Sequence, residues 1–327
     1  METRNATSQP VDLESLRQKI FPVQPEDTMA EAGRKILLNN FVFVLEREAG
    51  SRIGEDIEET HHMRVAVRRM RSTFRLFKPY YKANRILPFR KLLKALGRVL
   101  GAVRDLEVMI TDLTHYQTTL AEIDRVALQS VVDQLEVERQ AARTKLIAFL
   151  DSLTYQEFVY TFSLFLTIPG EGAKLKKLDK GAPYQVRHIL PVIIYSQLAT
   201  VRAYDAATVN IGPKTFHPLR IDCKRLRYTV ANFDAVLGKT GQQFIAEIKI
   251  LQDDLGRLND IAVARARLDS WLHEETLAEG QKIALRAYID TLRAEESQRV
   301  ADFPTIWAKF NTRKVRHSLS DALLVLR

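Results

Sequence analysis

The chain has a single cysteine, Cys223, which rules out both an intrachain disulfide framework and a cysteine-rich zinc site. Long apolar runs are missing as well. The longest uncharged ones, residues 158–170 and 189–201, fall short of the roughly 20 residues a membrane-spanning helix needs and read as buried helices. Residues 1–11 are polar and contain no apolar core of a signal peptide, so the expected location is the cytoplasm, with no membrane partner. Glycine and proline are few for 327 residues, at 13 and 11. No stretch alternates long enough to require a strand, so the expected class is all-α.

What is abundant is helix-forming sequence and positive charge. The chain is 46% hydrophobic, ample for a packed core, and carries 49 Lys and Arg against 40 Asp and Glu. A surplus of +9 points to an anionic partner without choosing among nucleic acid, a membrane surface and a phosphate polymer. Residues 1–26, broken by Pro10, Pro22 and Pro25, read as a flexible arm. Helices are expected near 27–49, 57–81, 85–113, 120–151 and 155–167, followed by a linker loop over 169–183. More follow near 184–208, 216–237, 241–273 and 276–299, with a further segment after Pro304.

Two separate segments recur in the same order. His61 to Arg71 (HHMRVAVRRMR) aligns with His217 to Arg227 (HPLRIDCKRLR). Downstream, Leu100 to Val108 (LGAVRDLEV) aligns with Leu255 to Val263 (LGRLNDIAV), once one extra spacer residue is allowed in the first copy. The expected organisation is therefore two copies of a roughly four-helix unit, 27–168 and 184–327.

On a helix at about 100° per residue, His61, Arg64, Arg68, Arg71 and Arg75 fall within an arc of about 80°. Met63, Ala66, Val67, Met70, Phe74 and Phe77 gather on another, apolar face. The second copy repeats the pattern, with His217, Arg220, Lys224 and Arg227 in the stripe and Leu219, Cys223, Leu226, Val230 and Phe233 on the core side. Cys223 stands where Val67 stands and reads as a small buried hydrophobe. An ordinary solvated face mixes signs at i, i+4 spacing, whereas the first stripe holds no acid and its like charges destabilise the helix. A functional anion site accounts for that arrangement better than a solvated face does.

The following helix supports the stripe. Lys91, Lys94 and Arg98 share a face, with Gly97, Gly101 and Asp105 on or beside it. An antiparallel hairpin would bring Asp105 near His61 and Arg64 and let backbones approach at the glycines. By the same construction Asp260 would meet His217 and Arg220, with Lys249 facing a groove. The role expected of Asp105 and Asp260 is to orient the basic groups, since a lone carboxylate among guanidinium groups is a poor proton donor. His61 and His217 are either hydrogen-bonded structural residues or anion contacts. Metal ligation is the weakest option for them, because adjacent His61 and His62 point in different directions and Pro218 replaces His62 in the second copy.

These motifs, H-x-x-R-x-x-x-[RK]-R-x-R twice and L-G-x-x-[RN]-D after each, resemble the CHAD family of histidine-containing α-helical domains. The resemblance implies two four-helix bundles related by a pseudo-twofold axis, with a basic groove or channel between them. It also implies binding of inorganic polyphosphate without hydrolysis, no cofactor, and association with polyphosphate granules. By position, the family's basic residues correspond to Arg64, Arg68, Arg69 and Arg71, and to Arg220, Lys224, Arg225 and Arg227. The copies differ at Arg104 against Asn259 and at Arg75 against Ala231. No E-x-E-x-K strand motif of a partner triphosphatase domain is present.

Two other functions stay open from the residues. RNA binding would share the positive charge, but it usually adds exposed aromatics for stacking. None lies on either stripe, although Tyr80, Tyr81 and Tyr228 are close by. A polyphosphate-processing enzyme would need metal-binding acids or a phosphate loop; there is no G-x-x-x-x-G-K-[ST] motif and no acid cluster near the stripes. The expectation is a binding protein with no catalytic and no metal-binding residue.

Overall fold

The computed structural model describes residues 11–174, 184–205, 213–273 and 277–326. Among them there is no strand, only two isolated bridges at Thr28–Gln185 and Tyr81–Ala173. The first helices are α1 (Leu13–Arg17), α2 (Met29–Ile53), α3 (Ile57–Phe77), α4 (Ala83–Gln117), α5 (Glu122–Asp151) and α6 (Leu153–Thr167). They are followed by α7 (Val186–Arg202), α8 (Pro213–Asn232), α9 (Asp234–Leu272), α10 (Glu279–Phe310) and α11 (Arg313–Leu324). The protein is all-α, and no described helix is long and apolar enough to cross a membrane.

The described residues form two compact units. One takes Met1–Glu107 and Glu138–Ile189, the other Val108–Val137 and Leu190–Arg327. The division departs from the sequence repeat, because it runs through α4 and α5 and assigns their distal parts to the second unit. The long α4 and α5 are thus shared covalently by both.

In the first unit, α2 starts at Thr28, whose hydroxyl accepts from the Glu31 amide, and stops at Gly54, left-handed at φ 71°. Asp56 caps α3, and Glu58 and Glu59 in its first turn complement the helix dipole. All six residues expected on the apolar face of α3 are buried. An aromatic cluster closes the core, with Phe162 at 5.0 Å from Phe41 and 4.7 Å from Phe89 between ring centres. The arm expected at 1–26 is corrected over its described part. Asp12 caps α1, Leu16 and Val23 are buried, and Arg17 pairs with Glu46 of α2 at 2.7 Å. Residues 1–10, and residues 175–183 of the expected linker loop, lie outside the described residues.

In the second unit the five expected apolar positions, four on α8 and Phe233 just past its end, are likewise buried, Cys223 among them. Burial pushes the Cys223 thiol pKa far up, as befits a core side chain. The expected helix end near residue 299 is also corrected. Helix α10 runs through Pro304 to Phe310, because Phe303, Trp307 and Phe310 on its buried face anchor both sides of the proline. Phe303 packs edge-on to Phe216 at 4.9 Å.

Candidate functional site

On α3 the basic stripe emerges as its helical phase requires. His61, Arg64 and Arg68 are half-buried, while Arg69, Arg71 and Arg75 are exposed. On α4, Lys91, Lys94 and Arg98 are all exposed. The two helices meet through the stripe itself. Arg71 Nη1 lies 3.1 Å from the place a Cβ on Gly97 would take, and Arg64 Nε lies 3.7 Å from the equivalent place on Gly101. The glycines therefore make room for guanidinium groups, where the sequence alone had pointed to contact between backbones. Asp105 accepts from Arg64 at 3.1 Å, as the hairpin construction required.

Charge on this face is lopsided. Among the described residues, Arg71, Arg75, Lys91, Lys94 and Arg98 form no ion pair with a carboxylate. Partial desolvation of the otherwise exposed side chain, together with the neighbouring charge of Arg75, lowers the Arg71 pKa from its ordinary value. Tolerating five such cations side by side costs the free protein electrostatic energy that a bound anion would recover.

Around His61 the structure adds Arg104, which the sequence marked only as a difference between the copies, and Glu107, which it did not mark. Arg104 bridges Glu58 at 3.5 Å and Glu107 at 3.6 Å, and the Glu107 side chain is only 2% exposed. Burial pushes the Glu107 pKa up, against the pull of Arg104, Arg139 and Arg143. His61 Nδ1 is buried with no hydrogen-bond partner. Burial, and then the charge of Arg104, hold the imidazole pKa below its ordinary value. No spacing pattern signalled this cluster, since Glu58, Arg104, Arg139 and Arg143 come from three helices.

The second unit spends its charges differently. His217 and Arg225 are exposed, whereas Arg220, Lys224 and Arg227 are half-buried, the last with its guanidinium 5.0 Å above the Tyr228 ring. Arg225 pairs with Asp222 at 2.9 Å, and Asp222 also accepts from Tyr204 at 3.0 Å. Lys249 is exposed but pairs with Asp253 at 2.7 Å. The expected contact of Asp260 with His217 and Arg220 is corrected. Among the described residues Asp260 forms no ion pair and only accepts from its neighbour Asn259 at 3.4 Å. A Cβ on Gly256 would meet nothing within 4 Å, so no arginine lies over that glycine as Arg64 lies over Gly101.

Arg257 carries the ion network that sequence reasoning did not find here. It binds Asp112 at 2.8 Å and Glu295 at 2.7 Å, and Arg299 joins Glu295 to Asp254 with two further 2.8 Å contacts. Hydrogen bonds from Arg257, then from Arg299, hold the Glu295 carboxyl at about 2. Its stabilising contribution is therefore in place above the ordinary carboxylate range and is lost as pH falls toward 2. Of the tyrosines near the stripes, Tyr81 and Tyr228 are buried and Tyr80 is half-buried, so Tyr81 and Tyr228 offer no exposed face for stacking. Among the described residues no group of three or more His, Cys, Asp or Glu is placed to hold a metal ion.

No curated protein matches the chain. Solved structures share its fold, among them the following two. The CHAD domain from the plant Ricinus communis superposes with a TM-score of 0.72 at 23% identity, over 90% of this chain and 95% of that one. PptA from Streptomyces chartreusis superposes with a TM-score of 0.64 at 15% identity, over 86% and 99%. The CHAD-domain family model matches residues 35–269, a span that takes in both basic stripes and both Gly–Asp segments, and the chain therefore belongs to the CHAD domain family.

Proposed function

We propose that the protein binds inorganic polyphosphate on its two basic helix faces and does not process it. The observation that carries this reading is the set of five cations, Arg71, Arg75, Lys91, Lys94 and Arg98, that meet no carboxylate among the described residues. A linear polymer with a charge on every phosphate can engage many such groups at once, and several modest charge-assisted contacts add up to tight binding. Arginine favours it further through forked contacts to phosphate oxygens. Asp105 is engaged by Arg64, which suits an orienting role and leaves it poorly placed as an acid or base. The burial of Tyr81 and Tyr228 weighs against RNA, whose single strands are usually held by exposed aromatics. Family membership weighs on the same side as the charge pattern.

The test is a binding series with long-chain polyphosphate, single-stranded RNA as competitor at equal phosphate concentration, and several salt concentrations. Polyphosphate affinity is expected to fall log-linearly with salt. RNA is expected to displace it only at a large excess. Displacement by equimolar RNA would hand the faces to nucleic acid, and steady release of phosphate by the pure protein would make it an enzyme.

His61 gives the reading a pH signature. Its imidazole is neutral in the free protein near pH 7, held there by burial and by Arg104. A phosphate brought against it favours the charged form, so binding takes up a proton and affinity rises as pH falls. The rise is expected as pH falls from neutrality, where the depressed imidazole of the free protein is still neutral and the phosphate-bound one takes up its proton. The difference between the native protein and His61→Gln removes the titration of the polymer's own end groups. A difference that stays flat down to pH 5.5 would return His61 to a structural role.

A further inference from the structure

The two copies of the repeat differ at the two positions that surround the histidine. In the first unit, Arg104 and Glu107 form an ion pair beside His61. In the second, the aligned residues are Asn259 and Ala262, which are shorter and carry no charge. A cavity of about 110 Å³ stands there, lined by Phe216, Leu258, Ala262 and Val300 on its apolar side and by Asn259 and Glu296 on its polar side. His217 and Arg220, the head of the second stripe, line it as well.

The chemistry of the lining selects among occupants. A phosphate group would lie against an apolar wall and the Glu296 carboxylate, which burial and repulsion both disfavour. A planar ring fits better. A dry cavity of roughly 150 Å³ admits a benzene ring, and this one need enclose only one end of a heterocycle. Glu296 is already paired with Arg265. Asn259 supplies an amide with donor and acceptor side by side, the arrangement that reads the edge of adenine. The ligand class is thus a ring joined to phosphates, with the ring in the cavity and the phosphates beginning at Arg220.

We infer that the second unit holds an adenosine polyphosphate, its adenine in the cavity opened by Asn259 and Ala262 and its phosphates along Arg220, Lys224 and Arg227. This rests on the reading of the basic faces as polyphosphate sites and adds to it a ligand suited to the uncharged pair Asn259 and Ala262 of the second copy. At the corresponding positions the first unit holds Arg104 and Glu107, a charged pair where the second has the shorter, uncharged Asn259 and Ala262.

The test compares ATP with inorganic tripolyphosphate, which has the same number of phosphates and no ring, in metal-free buffer at low salt. Long-chain polyphosphate is measured alongside. ATP is expected to bind about 10-fold more tightly than tripolyphosphate, the gain expected from burying part of a ring. Ala262→Trp, at an exposed helical position, fills the cavity; it should erase the ATP advantage and leave tripolyphosphate affinity unchanged. Equal affinity for ATP and tripolyphosphate overturns the inference, as does an ATP advantage that survives Ala262→Trp. If either result comes with intact long-chain binding, only the cavity assignment falls. If the long chain also fails to bind, the reading of the faces falls with it.

Discussion

Replacing Arg71 and Arg75 together by alanine is expected to lower affinity for long-chain polyphosphate by about 100-fold at low salt, on the basis of roughly 10-fold for each lost charge-assisted contact. The matched pair Arg225→Ala with Lys249→Ala should cost less than about 5-fold, because a cation already held by a carboxylate gives up that partner before it gains a phosphate. Arg225 is held by Asp222, and Lys249 by Asp253. Arg71 and Arg75 have no such partner among the described residues, and Arg75 disfavours the charge on Arg71. Removing the first pair should therefore leave the protein as stable as before, or slightly more so, by a few tenths of a kcal/mol for each relieved like-charge pair. Titration calorimetry and thermal melts on the same two variants check both halves of the statement. Equal affinity losses in the two pairs would refute the asymmetry, and a large drop in melting temperature for the first would mean those arginines serve the fold.

Gly54→Ala is expected to destabilise the protein by about 3 kcal/mol. About 1 kcal/mol of that follows from placing a side chain at a positive φ, here 71°. The remainder comes from Arg143. An added Cβ would stand 1.8 Å from Arg143 Nη1, so the guanidinium must leave. It now donates to the carbonyls of Arg52 and Ile53 at 2.9 Å each and lies near the buried Glu107. Displacing it strips the end of α2 of its cap and leaves a buried carboxylate less compensated, at a cost of about 1–3 kcal/mol. Gly256→Ala is the control, since nothing lies within 4 Å and its φ is ordinary for a helix; it should be neutral or slightly stabilising. Urea unfolding of both variants measures the difference. Equal stability would remove Arg143 from the end of α2.

The stripes and the buried faces behind them were legible because one helix fixes both by its period, and every apolar position assigned on α3 and α8 is buried. Asp105 was found for a similar reason, since a short antiparallel hairpin leaves few places for it. Asp260 was not, because the nearby space is bordered by Glu296 and Val300 from α10, which lies far along the chain. The Arg257 network draws Asp112 from α4 and Glu295 from α10, and the His61 cluster draws Arg139 and Arg143 from α5. Such groupings depend on which helices pack together, and no local spacing encodes that. The helix expected near 27–49 runs on to Ile53, since Gly50 lies within α2 against the Glu59 side chain and the stop comes at Gly54.

The course of α4 and α5 through both units bears on how the chain is made. Residues 108–137 belong with 190–327 and are flanked on both sides by sequence of the other unit. On a ribosome they emerge long before the residues that cover them, so Leu113, Leu128, Val131 and Leu135, all buried in the finished protein, have to wait in solvent. Cutting the chain at the repeat boundary would not yield two self-sufficient halves. The earlier fragment would carry a helical hairpin whose far end lacks its core, and the later one would lack the two helix segments that complete it. Each would be expected to aggregate alone and to be rescued by mixing with the other.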